Sequence, residues 1–448
     1  MDTNQSALKT ILQLAIPLII SNFIVQLYLL LENMLIGWTL GVHVLAGYTA
    51  ALTIYYLFSN LAVGLILGLT IHLSNAYGAR DFHRLKRSVF INYFYVVILC
   101  LSITAIGHFF LDEMLAVLNI AAESYAYAYD FLKIMFWGYS AQTIFVLLTY
   151  MFRGLGDSRT PSLFIILVSI INITLDYLAV AIFDMGIQGI ALAFLLANLL
   201  GVILCFVAVR KKWPILYINF SHRQFRVSEF IGHLKNSIPI AVQSIIISIG
   251  AFFVQRSLNE IGSDAVAAQG IGARIDMFCI IGLSSIGLAM ATFTAQNLGA
   301  NQYARILEGV KVATILSIAI AGIFSIIFLF SGSYLVHFVS GADLSSAVVD
   351  YGTRYFLFHV PFYWTLSLLF IYRYTLQGLG YSLFPSLAGM AEVLMRILAA
   401  TVLYQFMGFN GVILGDGLAW SAAALVCTIN FLMIKDELQN QFNVSERV

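Results

Sequence analysis

Asn172 and Asp176 stand four residues apart in an otherwise apolar stretch, so in a helix an amide and a carboxylate share one face. Glu32, with Tyr28 one turn before it, sets a carboxylate beside a phenol in another apolar stretch. Oxygens of these kinds hold a proton or a sodium ion. Burial favours the neutral form of a carboxylate and a bound cation favours the charged form, a basis for exchanging one cation for another. Plainer readings stand beside this: Asp176 caps a short helix or lies in an outer headgroup zone, and Glu32 is polar lining. Tyr139, Gln142, Asn60 and Asn198 are polar groups in further apolar stretches, and either line a cavity or bond one helix to another. Sodium at Asp176, Glu32 and Asn172 is the one metal these residues suggest, and no cofactor is indicated. Gly154-Leu-Gly156 lacks the strand and the further glycines of a nucleotide fingerprint, so nothing points to ATP or to an enzyme.

The elements that must position these groups are membrane helices. Of 448 residues, 61% are hydrophobic and 10% charged, against about 25% charged in an ordinary soluble domain. Runs such as 91–110 and 312–329 are long and without the alternation of barrel strands, so they read as helices. Twelve spans are expected, at 11–36, 48–74, 89–111, 125–150, 161–183, 187–209, 236–258, 274–297, 309–330, 350–372, 384–406 and 412–434. The apolar segment after Lys9 runs past any plausible cleavage point and reads as a permanent first helix containing Pro17. A proline beyond the first turn bends a helix, and Pro17 can let this one bend as Asp176 or Glu32 changes protonation. Cys100, Cys205, Cys279 and Cys427 lie singly in apolar runs as packing residues. A net charge of +1 with no basic, aromatic-interleaved stretch excludes a nucleic-acid partner.

Loop charge supports an even helix count. Arg80, Arg84, Lys86 and Arg87, then Arg153 and Arg159, then Lys211, Lys212, Arg223, Arg226 and Lys235, then Arg305, and finally Arg373 are assigned to alternate loops. Asp112, Glu113, Glu123, Glu260, Asp264 and Asp343 fall in the others, which places both termini in the cytoplasm. The halves also echo each other. Arg153-Gly-Leu-Gly-Asp-Ser-Arg-Thr-Pro161 returns as Gln377-Gly-Leu-Gly-Tyr-Ser-Leu-Phe-Pro385, Leu40-Gly as Ile261-Gly, Tyr77-Gly-Ala79 as Leu298-Gly-Ala300, and Gly189-Ile-Ala191 as Gly417-Leu-Ala419, at offsets of 221 to 228 residues. One six-helix unit therefore occurs twice. Six is even, so the repeat is parallel, with a pseudo-two-fold axis along the membrane normal and alternating access around a central cleft. The expected domains are residues 1–209 and 236–448, joined by a cytoplasmic linker at 210–235.

The same residues resemble the multidrug and toxic compound extrusion, or MATE, family. The resemblance covers nearly the whole chain: Pro17, Gln26-Leu-Tyr28 leading to an acid five residues before Gly37, Met151 to Pro161, Pro239 with Gln243, and Ala295-Gln-Asn-Leu-Gly-Ala300 followed by Arg305. It implies a V-shaped pair of six-helix bundles that exports organic cations and other amphipathic compounds against protons or sodium ions. The chain looks most like the prokaryotic branch that includes the DNA-damage-inducible F proteins, which implies a monomer in a bacterial cytoplasmic (inner) membrane among lipid. In that branch an asparagine and an aspartate four apart on the fifth helix form part of a cation site, which here falls on Asn172 and Asp176. The first-helix acid that joins them is usually aspartate, whereas this chain has Glu32, one methylene longer.

In the second half Glu392 is read as the one interior acid, neutralised by Arg396 four residues later. The seventh and tenth spans lack the acids of sodium-type members, so coupling is expected in the first bundle and protons are preferred to sodium. His72 and His359 are assigned to no step. The competing transport reading is a flippase for a lipid-linked precursor, which buried arginines would favour. A non-transporting membrane scaffold is the reading from another class.

Overall fold

The computed structural model describes residues 5–118, 120–217, 226–340 and 345–445. Arg223 and Asp343 lie outside the described residues, as does part of the linker. Among the described residues, twelve helices are long and apolar enough to cross a membrane. They are α1 (Ala7–Thr39), α2 (Val42–Gly78), α3 (Phe82–Phe109), α4 (Ala122–Gly154), α5 (Arg159–Ile182), α6 (Gly186–Lys211), α7 (Val227–Ile261), α8 (Ser263–Gly299), α9 (Tyr303–His337), α10 (Ser346–Gly378), α11 (Leu383–Met407) and α12 (Phe409–Gln439). The fold is all-α, with the twelve spans divided between two six-helix bundles.

Each helix reaches beyond its apolar run. At 1.5 Å per residue, α2 is roughly 55 Å long, whereas the hydrocarbon zone is about 30 Å thick. Hydropathy marks only the middle of such a helix. This corrects the placement of many of the charged residues in loops. Arg84, Lys86 and Arg87 lie in the first turns of α3, Lys211 ends α6, and Lys235 and Glu260 lie in α7. Arg153 in the last turn of α4, Arg305 in the first turn of α9 and Arg373 inside α10 are buried.

The chain forms two compact units, one of residues 17–237 and one of residues 1–16 with 238–448. The expected division fell instead at the linker, 210–235. In the structure α1 changes unit at Pro17 and α7 changes unit beside Pro239, with both helices α-helical through the proline. Ala7, Ile11, Leu14 and Ala15 accordingly pack in the core of the C-terminal unit. At the other exchange, the start of α7 packs within the N-terminal unit: Arg87 makes three hydrogen bonds to Glu229, and His72 stacks on His233 with ring centroids 4.1 Å apart. His72 Nε2 lies 3.2 Å from the Gly232 carbonyl, so this histidine joins α2 to α7.

The joint is close enough to need a glycine. A Cβ on Gly68 would stand 2.4 Å from the Ser237 Cα, a backbone atom that cannot swing aside. Gly68→Ala is expected to lower stability by about 1–3 kcal/mol, the usual cost of overpacking. Thermal unfolding of the purified protein in detergent checks it, and an unchanged transition would show that the helices move apart freely.

The internal repeat is written in the turns. After α4, Gly156 has φ +86° and donates its N–H to the Arg153 carbonyl, while Asp157 N–H reaches Phe152 O. After α10, Gly380 has φ +87°, with the same bonds from Gly380 to Gln377 and from Tyr381 to Leu376. A positive φ there favours glycine, which explains why Gly-Leu-Gly recurs. Arg80 and Asn301 likewise close α2 and α8 at φ +55° and +57°. Both α5 and α11 contain a π-helical turn, at Leu178–Ile182 and Ala399–Leu403, and the next helices open at Gly186 and Gly408 with φ +58° and +55°. That shared turn corrects one alignment. Three residues beyond it stand Gly189 and Gly411, so Gly411, not Gly417, is the counterpart of Gly189; a Cβ on Gly411 would meet the Leu403 carbonyl oxygen at 2.4 Å.

Asp157 shows why its turn holds. Burial raises its pKa, but Lys212, the Thr160 N–H and hydroxyl, and the Trp213 indole N–H outweigh that and hold it below the ordinary 3.8. A carboxylate with a lowered folded pKa contributes stability above its unfolded pKa and loses it as pH falls through the folded value. Asp157→Asn is expected to cost about 1–3 kcal/mol at neutral pH. The difference from the parent should shrink as the pH falls below 3.8 and vanish once it passes the lower folded value, as read by thermal unfolding at several pH values.

Candidate functional site

In the N-terminal unit, α1 supplies Tyr28 and Glu32, α2 supplies Tyr48, and α5 supplies Asn172 and Asp176 just ahead of its π-helical turn. A π-turn shifts the register of the helix after it and is frequent at functional positions. The i, i+4 spacing does bring Asn172 and Asp176 onto one face, and that face meets α1. Glu32, Asn172 and Asp176 are all buried, with Asp176 fully enclosed.

The hydrogen bonds define what the cluster lacks. Tyr48 donates to Glu32 Oε2 at 2.7 Å, and Tyr28 also hydrogen-bonds this carboxylate. Asn172 Nδ2 donates to the Tyr28 hydroxyl oxygen at 2.5 Å, which leaves the Tyr28 proton free for an acid. No donor among the described residues reaches Asn172 Oδ1 or either oxygen of Asp176. Buried carboxylates without donors are expensive. Two acids and unpartnered amide oxygen in a buried site therefore suit a cation, either a proton on a carboxylate or a hard metal ion that takes oxygen ligands. Among the described residues no three or more His, Cys, Asp or Glu side chains converge on a metal-sized site, so such an ion would rely on amide and phenol oxygens as well.

The four other polar candidates separate. Tyr139 is fully buried and donates to the Phe58 carbonyl at 2.9 Å, tying α4 to α2. Gln142 accepts from Tyr55 at 2.6 Å and donates to Ser59 at 3.3 Å across the same pair. Asn198 is buried and returns its amide to Phe194 O on its own helix, while Asn60 is exposed. Tyr139 and Gln142 thus bond helix to helix, Asn198 bonds within α6, and only Asn60 presents an open side chain.

The C-terminal unit corrects the reading of Glu392 as its one interior acid. Asp276 on α8 is buried against His359, Tyr355 and Tyr363 of α10. Asp416 on α12 accepts from Arg396 Nε at 2.7 Å. Glu392 is bonded by Arg373 and lies farther, 3.7 Å, from Arg396. Its neutralising partner is therefore Arg373 on another helix. The expected spans began at 274 and 412, which set Asp276 and Asp416 at helix starts; α8 in fact begins at Ser263, so Asp276 is well inside it. The arginines that a flippase would need facing substrate are partly spoken for, since Arg373 and Arg396 are matched by acids.

Twelve apolar helices in two six-helix units, with ionisable groups buried in each, define an integral-membrane transport protein. The MatE family model matches residues 17–178 and 239–403, and the chain belongs to that family. The two matched stretches begin beside the prolines where α1 and α7 change unit. The probable multidrug resistance protein YoeA of Bacillus subtilis is 26% identical over 333 residues, 72% of each chain. The multidrug export protein MepA of Staphylococcus aureus is 22% identical over 437 residues, 96% of this chain and 94% of its own. Among solved structures, an outward-facing multidrug resistance MATE family transporter of the MOP superfamily superposes with a TM-score of 0.88 at 20% identity, over 97% of each chain. Its likeness supports the fold.

Proposed function

We propose that the protein is a secondary antiporter that exports amphipathic, cationic small molecules from the cytoplasm in exchange for protons, by alternating access. Asp176 and Glu32 carry the exchangeable proton, Asn172 and Tyr28 orient them, and Pro17 is where α1 bends as that proton comes and goes. The observation that carries this reading is the buried set of acceptor oxygens on Asn172 and Asp176 without donors. A proton satisfies a carboxylate pair with no other ligand, whereas sodium needs several oxygens drawn close together. Sodium in the same site is the second reading, supported by the amide and phenol oxygens beside the two acids. The multidrug names of YoeA and MepA support the substrate class.

The protein acts as a monomer in a bacterial inner membrane with both termini in the cytoplasm, and its branch is that of the DNA-damage-inducible F proteins. The test is gradient-driven efflux of a fluorescent organic cation from proteoliposomes. Efflux driven by an imposed proton gradient and indifferent to sodium is the expected result. Drive by sodium alone would reassign the ion while keeping the site. Folded protein that moves nothing under either gradient would leave the flippase and scaffold readings.

A further inference from the structure

Six ionisable side chains form one continuous chain inside the C-terminal unit, most of them buried. Asp276 contacts His359 Nδ1, and His359 Nε2 lies 3.9 Å from Asp416 Oδ2. The other Asp416 oxygen is held by Arg396 at 2.7 Å, and Arg396 reaches Glu392, which is bonded in turn by Arg373. Three carboxylates thus face two guanidinium groups, and arginine does not give up its proton in proteins. With a neutral imidazole the cluster carries one unmatched negative charge in a membrane interior. One added proton balances it.

The contacts indicate where that proton sits. Asp276 accepts from Tyr363 on Oδ1 and from Tyr355 on Oδ2 at 2.7 Å, the surroundings of a charged, acceptor-only carboxylate. The His359 ring stands 4.5 Å from the Trp420 ring and 4.7 Å from Tyr355, within range for a cation over an aromatic face. Among the described residues Cys279, one turn beyond Asp276 on α8, and Cys427 on α12, beside Arg373 and Glu392, are further titratable neighbours, both buried. Asp276 and His359 are almost fully enclosed, whereas the Asp416 side chain is 23% exposed and offers the way in. His359 also ends the first α-helical stretch of α10, immediately before the Val360–Phe362 turn that contains Pro361, after which the helix resumes at Tyr363.

We propose that the C-terminal unit holds its own exchangeable proton site, a His359 imidazolium between Asp276 and Asp416, loaded through Asp416. In loading, the O–H bond on Asp416 Oδ2 breaks and an N–H bond forms on His359 Nε2, directly or through one water. The Asp416 carboxylate that remains stays paired with Arg396, and unloading is the reverse. Without the proton, Asp276 and His359 lose their ion pair, and the break in α10 is no longer pinned to α8 by charge. The site is independent of Asp176.

The test is nitrogen NMR of the full chain labelled with ¹⁵N-histidine in detergent micelles, with His359→Gln to assign the signal. At pH 7 the His359 ring of the parent should show both nitrogens protonated, reverting to the neutral pattern when the pH is raised and recovering when it is lowered. In Asp276→Asn, where the remaining charges balance, the imidazolium signal should be lost at pH 7. The Glu32→Gln, Asp176→Asn double variant should keep it, whatever that variant does in transport. A neutral His359 in the parent at pH 7 overturns the proposal without reference to any variant. Thermal unfolding adds a readout that packing alone would not move. His359→Gln should be less stable than the parent, and adding Asp276→Asn should recover most of the loss, because charge and countercharge leave together. A double variant no better than its weaker single would also overturn it.

Discussion

Replacing Asp176 by asparagine is expected to reduce gradient-driven efflux to background while leaving the protein folded and more stable than the parent. Swinging a two-state equilibrium from 1:99 to 99:1 requires about 5.5 kcal/mol of differential ion affinity. An amide at 176 takes no proton and supplies none of it, so a loss of about a hundredfold or more is expected. The gain in stability has a separate cause. Both Asp176 oxygens and Asn172 Oδ1 lack donors, and an asparagine brings an NH₂ group into that acceptor-rich space. A satisfied buried acceptor is worth about 1–3 kcal/mol, and opposing changes in activity and stability are common at functional sites. Efflux and thermal unfolding of the same preparation check both. If efflux persists, coupling lies elsewhere; if stability falls with efflux, Asp176 is a structural residue.

The second large effect is on stability. Arg373 and Glu392 are both buried and bonded to each other between α10 and α11. Removing one partner of a buried ion pair leaves an uncompensated charge and typically costs about 3–5 kcal/mol. Arg373→Met is expected to fall in that range, since among the described residues the other guanidinium near Glu392, that of Arg396, lies at 3.7 Å and is already bonded to Asp416. Adding Glu392→Leu should restore most of the stability, because two apolar groups of similar volume replace an ion pair at little cost. Thermal unfolding of the three proteins checks it. A single variant as stable as the parent would show that water reaches Glu392.

Helix count, helix type and the internal repeat were legible in the sequence because each rests on local chemistry. An apolar run longer than the hydrocarbon zone must satisfy its backbone internally, and a turn that needs positive φ selects glycine wherever it recurs, as at Gly156 and Gly380. The pairing of Asn172 with Asp176 was legible for the same reason, since helical periodicity puts them on one face. Glu32 was legible as a charge inside an apolar run, but its bond to Tyr48, sixteen residues away on the next helix, was not.

Only the tertiary structure decided which buried charges meet. Glu392 has an arginine at the favourable i+4 spacing, yet its close partner is Arg373 from the neighbouring helix. Asp276, His359 and Asp416 are far apart in sequence and become one cluster through the packing of α8, α10 and α12. Apolar composition is a property of each segment, and sequence reports it directly. Which polar groups neutralise one another depends on helix rotation and on how far each helix extends past its apolar core, and these are fixed by packing between segments.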